Sequence, residues 1–375
     1  MNIAYIAGWP IPSRAANAVH VMKMCQAFSK HHTVKLYCPD GAGQDIEGIQ
    51  NLHQHYGVTE SFDVFPIEKK EGRLGLIKYA FQAVKKAKKN GAEIVYSRCL
   101  MSAWMATLFG MQTVFEKHSS LDGQGGVAKA VFKSLIRSRH FNSLVVISDA
   151  LKEHLAERFS IPYDRIISAH DGADEFPSDQ QPAPFVTGQG KFHAGYIGHL
   201  YQGRGIDIIA EMAKELDNVQ FHIVGGKKED IDFWKGALSD LKNIHFYGYV
   251  PHHETIAFLQ HSDVLLAPYQ RKVGGYNESD NTVQWMSPLK IFEYMSTGIP
   301  MICSDLPVLH EILRDQENCF LCVPDDSKDW VEALRTIMGN PEKSSDVARQ
   351  AKKEFLGKYT WQKRADYIAA EIEKK

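Results

Sequence analysis

The sequence predicts an α/β protein of two doubly wound, Rossmann-like domains, and three observations carry that expectation. The chain has 375 residues, long for one hydrophobic core and suited to two. Near-continuous apolar runs alternate with helical patterns twice over, as buried parallel strands between covering helices do. Between the two series lies the polar, proline-bearing stretch ADEFPSDQQPAPFVTGQG, residues 173–190, which reads as a linker.

In the first series, β-branched apolar runs predict strands at 2–7, 33–38, 62–66, 93–97, 112–116 and 143–147. Helical spacing of apolar residues predicts helices at 17–30, 74–89 and 126–140. The second series gives strands at 192–198, 220–224, 244–248, 263–267, 300–303 and 319–323. Its helices are expected near 205–216, 229–240, 253–260 and 287–296. Domains are accordingly placed at 1–175 and 190–355, with a terminal helix over 356–375 that carries Trp361 and Tyr367.

Composition excludes several classes. Hydrophobic residues at 44% and charged residues at 23% are ordinary globular values. No apolar run reaches the roughly 18 residues a membrane span needs. The opening MNIAYIAGWP reads as a buried strand and turn rather than a signal peptide, so a cytoplasmic location is expected. Six cysteines in so long a chain make no disulfide framework, and Cys319-Phe-Leu-Cys322 reads as alternating buried strand positions.

Charge is uneven along the chain. Residues 1–178 carry a net +4 and the remainder −6, within an overall −2. The positive excess sits in 68–90 and 128–141, where Lys and Arg mix with Ile, Leu, Phe and Tyr at helical spacing. Such helices either bury one face and solvate the other or lie on an anionic membrane surface, so peripheral attachment to the inner face of the cell membrane is a candidate partner interaction. No aromatic-basic platform accompanies them, and no nucleic-acid partner is expected.

The motif with most chemical content is SPLKIFEYMSTGIPMICSD, 287–305. Ser287, Pro288 and Leu289 open a helix whose N-terminus attracts phosphate, Lys290 adds a cation, and Glu293 offers a carboxylate to a ribose diol. A second anion site follows the strand HAGYIGHL. Gly198, Gly203 and Gly205 allow close backbone approach, and Arg204 presents a five-donor guanidinium. The pair Asp230-Ile231-Asp232 has metal-binding spacing but sits in the polar start of a helix, where it reads as solvated charge; no metal is assigned.

These stretches resemble the retaining glycosyltransferases of family 4. In that family the donor helix reads Glu, seven residues, Glu, and a Met-Ala-x-Gly-x-Pro turn; Glu293 matches the second Glu, while Trp285 occupies the place of the first. GHLYQGRG is similar to the family's Gly-Arg-Leu-x-x-x-Lys-Gly motif, with His199 and Arg204 at its two cationic places. The resemblance implies the GT-B fold, two Rossmann-like domains facing a central cleft. It implies that Gly248-Tyr249-Val250-Pro251 holds the nucleotide base, with Tyr249 and Val250 at the base site, and that Gly8 and Arg14 complete the donor phosphate clamp. VFEKHSSLDGQGG, 114–126, resembles the acceptor-side loop. It implies His118 as the catalytic histidine, oriented by Glu116, with Asn17 and His20 on the same acceptor side. Adjacent His252 and His253 read as helix-cap residues, and Glu278, Asp280 or Asn281 as replacements for the first Glu.

The resemblance implies transfer of a sugar, with retention, from a UDP- or GDP-linked donor to a hydroxyl of a glycan or lipid-linked acceptor in bacterial surface-polysaccharide or glycoconjugate synthesis, and no cofactor besides the donor. Departure of the diphosphate needs positive charge, which Arg204, Lys290 and the helix start can supply without a metal. His118, Arg204, Lys290 and Glu293 form the expected catalytic set. Two other readings stand beside it: a catalytically silent scaffold or partner subunit, and a sugar-nucleotide epimerase.

Overall fold

The structure, a computed structural model, describes residues 1–13, 15–40, 51–179, 181–182, 184–185, 191–251, 254–273 and 283–375. The chain divides into two compact units. One comprises Met1–His170 with Trp361–Lys375, the other Asp171–Thr360.

The first unit is built on a seven-stranded, all-parallel sheet of order β3-β2-β1-β4-β5-β6-β7. Its strands are β1 (Asn2–Ile6), β2 (Thr33–Pro39), β3 (Asp63–Ile67), β4 (Ile94–Ser97), β5 (Gln112–Lys117), β6 (Phe141–Val146) and β7 (Ile166–Ser168). Central strands such as β4 are buried at every position, because helices cover both faces of a parallel sheet. Helix α1 (Ala16–Ser29) follows β1, α2 (Leu52–His55) precedes β3, and α3 (Gly72–Lys89) precedes β4. Three further helices follow in order: α4 (Leu100–Leu108), α5 (Gly126–Ile136) and α6 (Asp149–Phe159).

Helix α3 buries Tyr79, Ala80, Ala83, Val84 and Ala87 at helical spacing, yet leaves Leu74, Ile77 and Phe81 exposed among its lysines. Helix α5 ends at Ile136, short of the expected 140, and α4, α6 and β7 were not anticipated. No helix among the described residues is long and apolar enough to cross a membrane.

The second unit holds a six-stranded parallel sheet of order β10-β9-β8-β11-β12-β13. Its strands are β8 (Phe192–Ile197), β9 (Val219–Val224), β10 (Ile244–Gly248), β11 (Val264–Ala267), β12 (Met301–Ser304) and β13 (Phe320–Cys322). Helices α7 (Ile206–Glu215), α8 (Lys228–Ala237), α9 (Thr255–Gln260) and α10 (Leu289–Thr297) connect them, followed by α11 (Ser327–Gly339) and α12 (Pro341–Lys358). A core of Ile209, Met212, Phe221, Val264, Ile302, Trp330 and Leu334 lies under α7 and α11.

Both sheets reverse strand order beside their first strand, at β1/β4 and at β8/β11. Two parallel doubly wound units of this kind make the GT-B fold. Ligands of such sheets bind at the carboxyl ends of the strands flanking the reversal. Helix α13 (Trp361–Glu373) returns the chain to the first unit, burying Trp361, Arg364, Ala365, Ile368, Ala369 and Ile372 along one face.

Candidate functional site

In the second unit, the turn after β8 is the first element of the site. Gly203 and Gly205 have φ of 84° and 77°, in the region that favours glycine. A Cβ on Gly203 would meet the Lys272 carbonyl oxygen at 2.0 Å, and one on Gly205 the Pro268 carbonyl oxygen at 1.9 Å. The turn therefore lies directly on the segment that follows β11. Gly198 N–H continues the ladder to the Val224 carbonyl at 2.8 Å, and Gly225 N–H donates to the Gly248 carbonyl at 2.7 Å. Three neighbouring strands thus end in glycines whose backbones pack against one another. The Gly225-Gly226 pair is a part of this mouth that the sequence reading passed over.

Into the same mouth points Lys290, from the first turn of α10. It is buried, with its ammonium 3.6 Å from the centre of the Tyr196 ring and 5.5 Å from that of Tyr269. Burial and then the Arg204 charge push its pKa well below the ordinary lysine value, while Glu293, one turn on, pulls it back. The aromatic faces compensate part of the lost hydration through their quadrupoles. Arg204 lies over Tyr269 at 5.4 Å, and its buried Nε has no hydrogen-bond partner among the described residues.

His199 stacks on Tyr201 at 4.7 Å and is exposed as a residue. The protein around it, then Arg204, Lys290 and Lys227, push its imidazole down to about 4, so it is neutral at pH 7. Asp230, expected to be solvated, is half-buried and pulls His199 the other way, whereas Asp232 is exposed; the two carboxylates do not share a face.

Helix α10 is held in register by Tyr294, whose hydroxyl accepts from Ile197 N–H at 3.0 Å. Pro288 caps it, Leu289 begins it, and the Ser287 hydroxyl accepts from Asp171 N–H at 2.9 Å, so Ser287 braces the helix start. Glu293 is half-buried on the same helix, and the half-buried Trp285 lies in the turn before it. Tyr249 is 49% exposed and Val250 half-buried just beyond β10.

In the first unit the site centres on Glu116, near the end of β5 and fully buried. Its Oε1 receives the Arg364 Nη2 at 2.7 Å, the His118 Nε2 at 2.8 Å and the His20 Nε2 at 3.1 Å. Burial opposes ionisation, but Arg364, His20 and His118 outweigh it and hold the carboxyl well below the usual range. His118 presents its other nitrogen, Nδ1, to Arg98 Nη2 at 2.9 Å. An arginine only donates, so Nδ1 accepts, the proton sits on Nε2, and His118 is the neutral tautomer that donates to Glu116.

His20, expected on the acceptor side with His118, lies beside both His118 and Glu116. It is buried edge-on between His118 and Trp361, at 4.9 and 5.2 Å. Asn17 is half-buried in the first turn of α1, and Gly8 follows β1 with its Cβ position 3.4 Å from Cys99 Cβ. Arg14, His252, His253, Glu278, Asp280 and Asn281 lie outside the described residues. Arg98 and Arg364 were missed because nothing local marks them: one is a lone cation after a strand, the other a helix residue far along the chain.

His20, Glu116 and His118 each bring a donor atom within 4.8 Å of the others, a spacing that suits a cation. The Arg364 guanidinium on the same oxygen puts a positive charge where an ion would sit, so the set fits a carboxylate–histidine–arginine network better than a metal.

The comparisons agree with this architecture. The family model described as Glycosyltransferase Family 4 matches residues 18–175, and the one described as Glycosyl transferases group 1 matches 178–354. A phosphatidyl-myo-inositol mannosyltransferase of Mycobacterium leprae is 30% identical over 42% of this chain and 38% of its own length. An uncharacterised glycosyltransferase of Haemophilus influenzae is 23% identical over 44% of its length, so the match spans less than half of either relative. An uncharacterised glycosyltransferase of Methanocaldococcus jannaschii is 20% identical over 99% of this chain and 96% of its own. Among solved structures, HepE of Anabaena, crystallised with UDP, aligns over the whole of both chains with TM-score 0.74 at 14% identity. The lipopolysaccharide outer core galactosyltransferase WaaB aligns over 100% of this chain and 99% of its own with TM-score 0.67 at 16% identity. At these identities the structural likeness shows the fold.

Proposed function

The chain belongs to the family 4 glycosyltransferases, its second half matching their group 1 model, and from that premise we propose that it moves a sugar from a nucleoside-diphosphate sugar to a hydroxyl of a saccharide acceptor, with retention. The observation that carries the reading is Lys290. A buried ammonium lies on Tyr196 beside Arg204, at a mouth where three strands end in closely packed glycines. An anionic diphosphate is the ligand that relieves this concentration of buried positive charge, and the glycines let its oxygens approach the backbone.

Arg204 and Lys290 stabilise the departing diphosphate, and Glu293 accepts from the ribose hydroxyls. The acceptor oxygen attacks the anomeric carbon from the face the phosphate leaves. The C–O bond to phosphate breaks as the new one forms, and the hydroxyl proton passes to the leaving phosphate oxygen. Arg204 and Lys290 supply the charge this step needs. HepE has been crystallised with UDP-glucose, which makes uracil the first base to test. WaaB is a lipopolysaccharide outer core galactosyltransferase, which supports an acceptor of the cell-surface class. The exposed Leu74, Ile77 and Phe81 among the lysines of α3 support attachment to an anionic membrane surface.

The test is product analysis. UDP- and GDP-sugars are incubated with the protein and saccharide acceptors, and the anomeric proton of the product is read by NMR. A glycoside with the donor's configuration supports the reading, and an inverted one overturns the mechanism. An altered nucleotide sugar indicates epimerisation, and binding without turnover a silent scaffold.

A further inference from the structure

Arg98 follows β4, beside the strand-order reversal of the first sheet. Its backbone is fixed: Arg98 N–H donates to the Ile6 carbonyl at 3.2 Å. The buried Ser97 hydroxyl donates to Ile6 at 3.0 Å and accepts from Cys99 N–H at 3.0 Å. The side chain is fixed as well, by His118 Nδ1 at 2.9 Å, itself held by Glu116, which Arg364 anchors in turn. Yet no carboxylate among the described residues pairs with this guanidinium, and its Nη1, although buried, has no hydrogen-bond partner there.

The surroundings add to the imbalance. Glu116, which shares His118 with Arg98, is already neutralised by Arg364. Lys69 donates to the Gly8 carbonyl at 3.3 Å and Lys117 to the Ser119 hydroxyl at 2.7 Å, which brings two more cations to this end of the sheet. Asp40, at the end of β2, lies two strands away across β1.

A preorganised guanidinium with a buried, unused donor is built to bind an anion. We propose that Arg98, steadied by His118, forms an anion subsite in the first unit that takes a carboxylate or phosphate group of the acceptor. The acceptor is thus an acidic saccharide or a phosphorylated one. The neutral tautomer of His118 is part of the device: a protonated Nδ1 would face Arg98 donor to donor and expel it. The assignment of the ligand to the acceptor rests on the transferase reading; the anion subsite itself does not.

Glucuronate and inorganic phosphate are titrated, separately, against wild-type protein and the Arg98→Gln, Arg98→Lys and Arg204→Ala variants with the donor site filled by saturating UDP, and UDP alone is titrated in parallel. The expected result is that Arg98→Gln weakens one or both anions about tenfold to a hundredfold. Arg98→Lys recovers part of the loss, while Arg204→Ala leaves this binding unchanged and Arg98→Gln leaves UDP affinity unchanged. The tighter of the two probes tells a carboxylate acceptor from a phosphate one. Anion binding that survives Arg98→Gln, moves with Arg204→Ala or is undetectable in the wild type overturns the subsite. A parallel loss of UDP affinity in Arg98→Gln also overturns it, by giving the guanidinium to the donor. If wild-type protein binds no UDP or GDP, the donor reading fails while an Arg98-dependent anion signal still stands. Melting curves of the Lys variant keep a folding defect from passing as lost binding.

Discussion

Arg364 donates to Oε1 of Glu116 across 2.7 Å although 248 residues separate the two in the chain, and both side chains are almost wholly buried. The same guanidinium donates through Nε to the His170 carbonyl at 2.9 Å, so one residue of α13 neutralises the acid under His118 and ties down the last residue of the first unit's main segment.

Removing that guanidinium leaves a buried carboxylate without its principal counter-charge. Arg364→Met is expected to destabilise the first unit by about 3–5 kcal/mol. The Arg364→Met/Glu116→Gln double variant is expected to recover part of the loss, since the stranded charge is gone. Urea denaturation of the four-protein cycle measures this coupling, and strictly additive losses would show that the pair does not act as a unit.

Lys290→Met should act in opposite directions on stability and binding. The folded pKa of this lysine lies below its unfolded value, so below the unfolded value its charging opposes folding, and the opposition fades as pH rises between the two. Replacing it with an apolar side chain of similar length is expected to stabilise the free protein by ~1–2 kcal/mol and to weaken UDP or GDP binding at least tenfold. A melting temperature that falls, or an affinity that holds, contradicts the buried-cation account.

The second unit should be acid-sensitive well before its carboxylates titrate. His222 is buried in β9, with Nε2 2.9 Å from His193 Nδ1 and Nδ1 2.8 Å from the Tyr247 hydroxyl. Burial, then His193 and His245, push it down to about 3. Because the folded value is depressed, the contribution is whole above the unfolded value near 6.5 and is lost as pH falls from there toward 3. Stability at pH 5 is expected to be about 1–2 kcal/mol below that at pH 7, and His222→Asn to flatten the profile. An unchanged slope in the variant would transfer the effect to other groups.

Gly205→Ala tests the turn. With φ of 77° and the Pro268 carbonyl oxygen 1.9 Å from the new Cβ, the variant cannot keep this backbone. A loss of at least ~2 kcal/mol, accompanied by weaker nucleotide binding, is expected. Calorimetric melting and a UDP titration read both, and a neutral substitution would mean the turn sits elsewhere.

The strands of the second unit were legible almost to the residue: 220–224 against Val219–Val224, 244–248 against Ile244–Gly248. Each alternates Val, Phe and Ile with Gln, His or Tyr and runs out at a glycine, Gly225 or Gly248, which leaves little choice of register. Helix α4 was missed because LMSAWMATL is apolar around most of its surface and gives no polar stripe to reveal the period. Strand β7 is only three residues long. Of the candidate site, spacing marked Lys290 at a helix start and placed Glu116 beside His118. That Tyr196 and Tyr269 wall in the lysine, or that Arg98 and Arg364 complete the histidine network, depends on residues brought together only by the sheets. No periodicity carries that information.

The position of α13 has a consequence for synthesis. A ribosome finishes residues 1–170, then the whole second unit, before it makes Arg364, so the growing first unit must hold Glu116 without its arginine throughout that interval. Until Arg364 emerges, the acid either takes up a proton or keeps its surroundings open to water. The nascent first unit is then an incomplete sheet awaiting its closing helix, exposed to proteases and chaperones for as long as translation of the second unit takes.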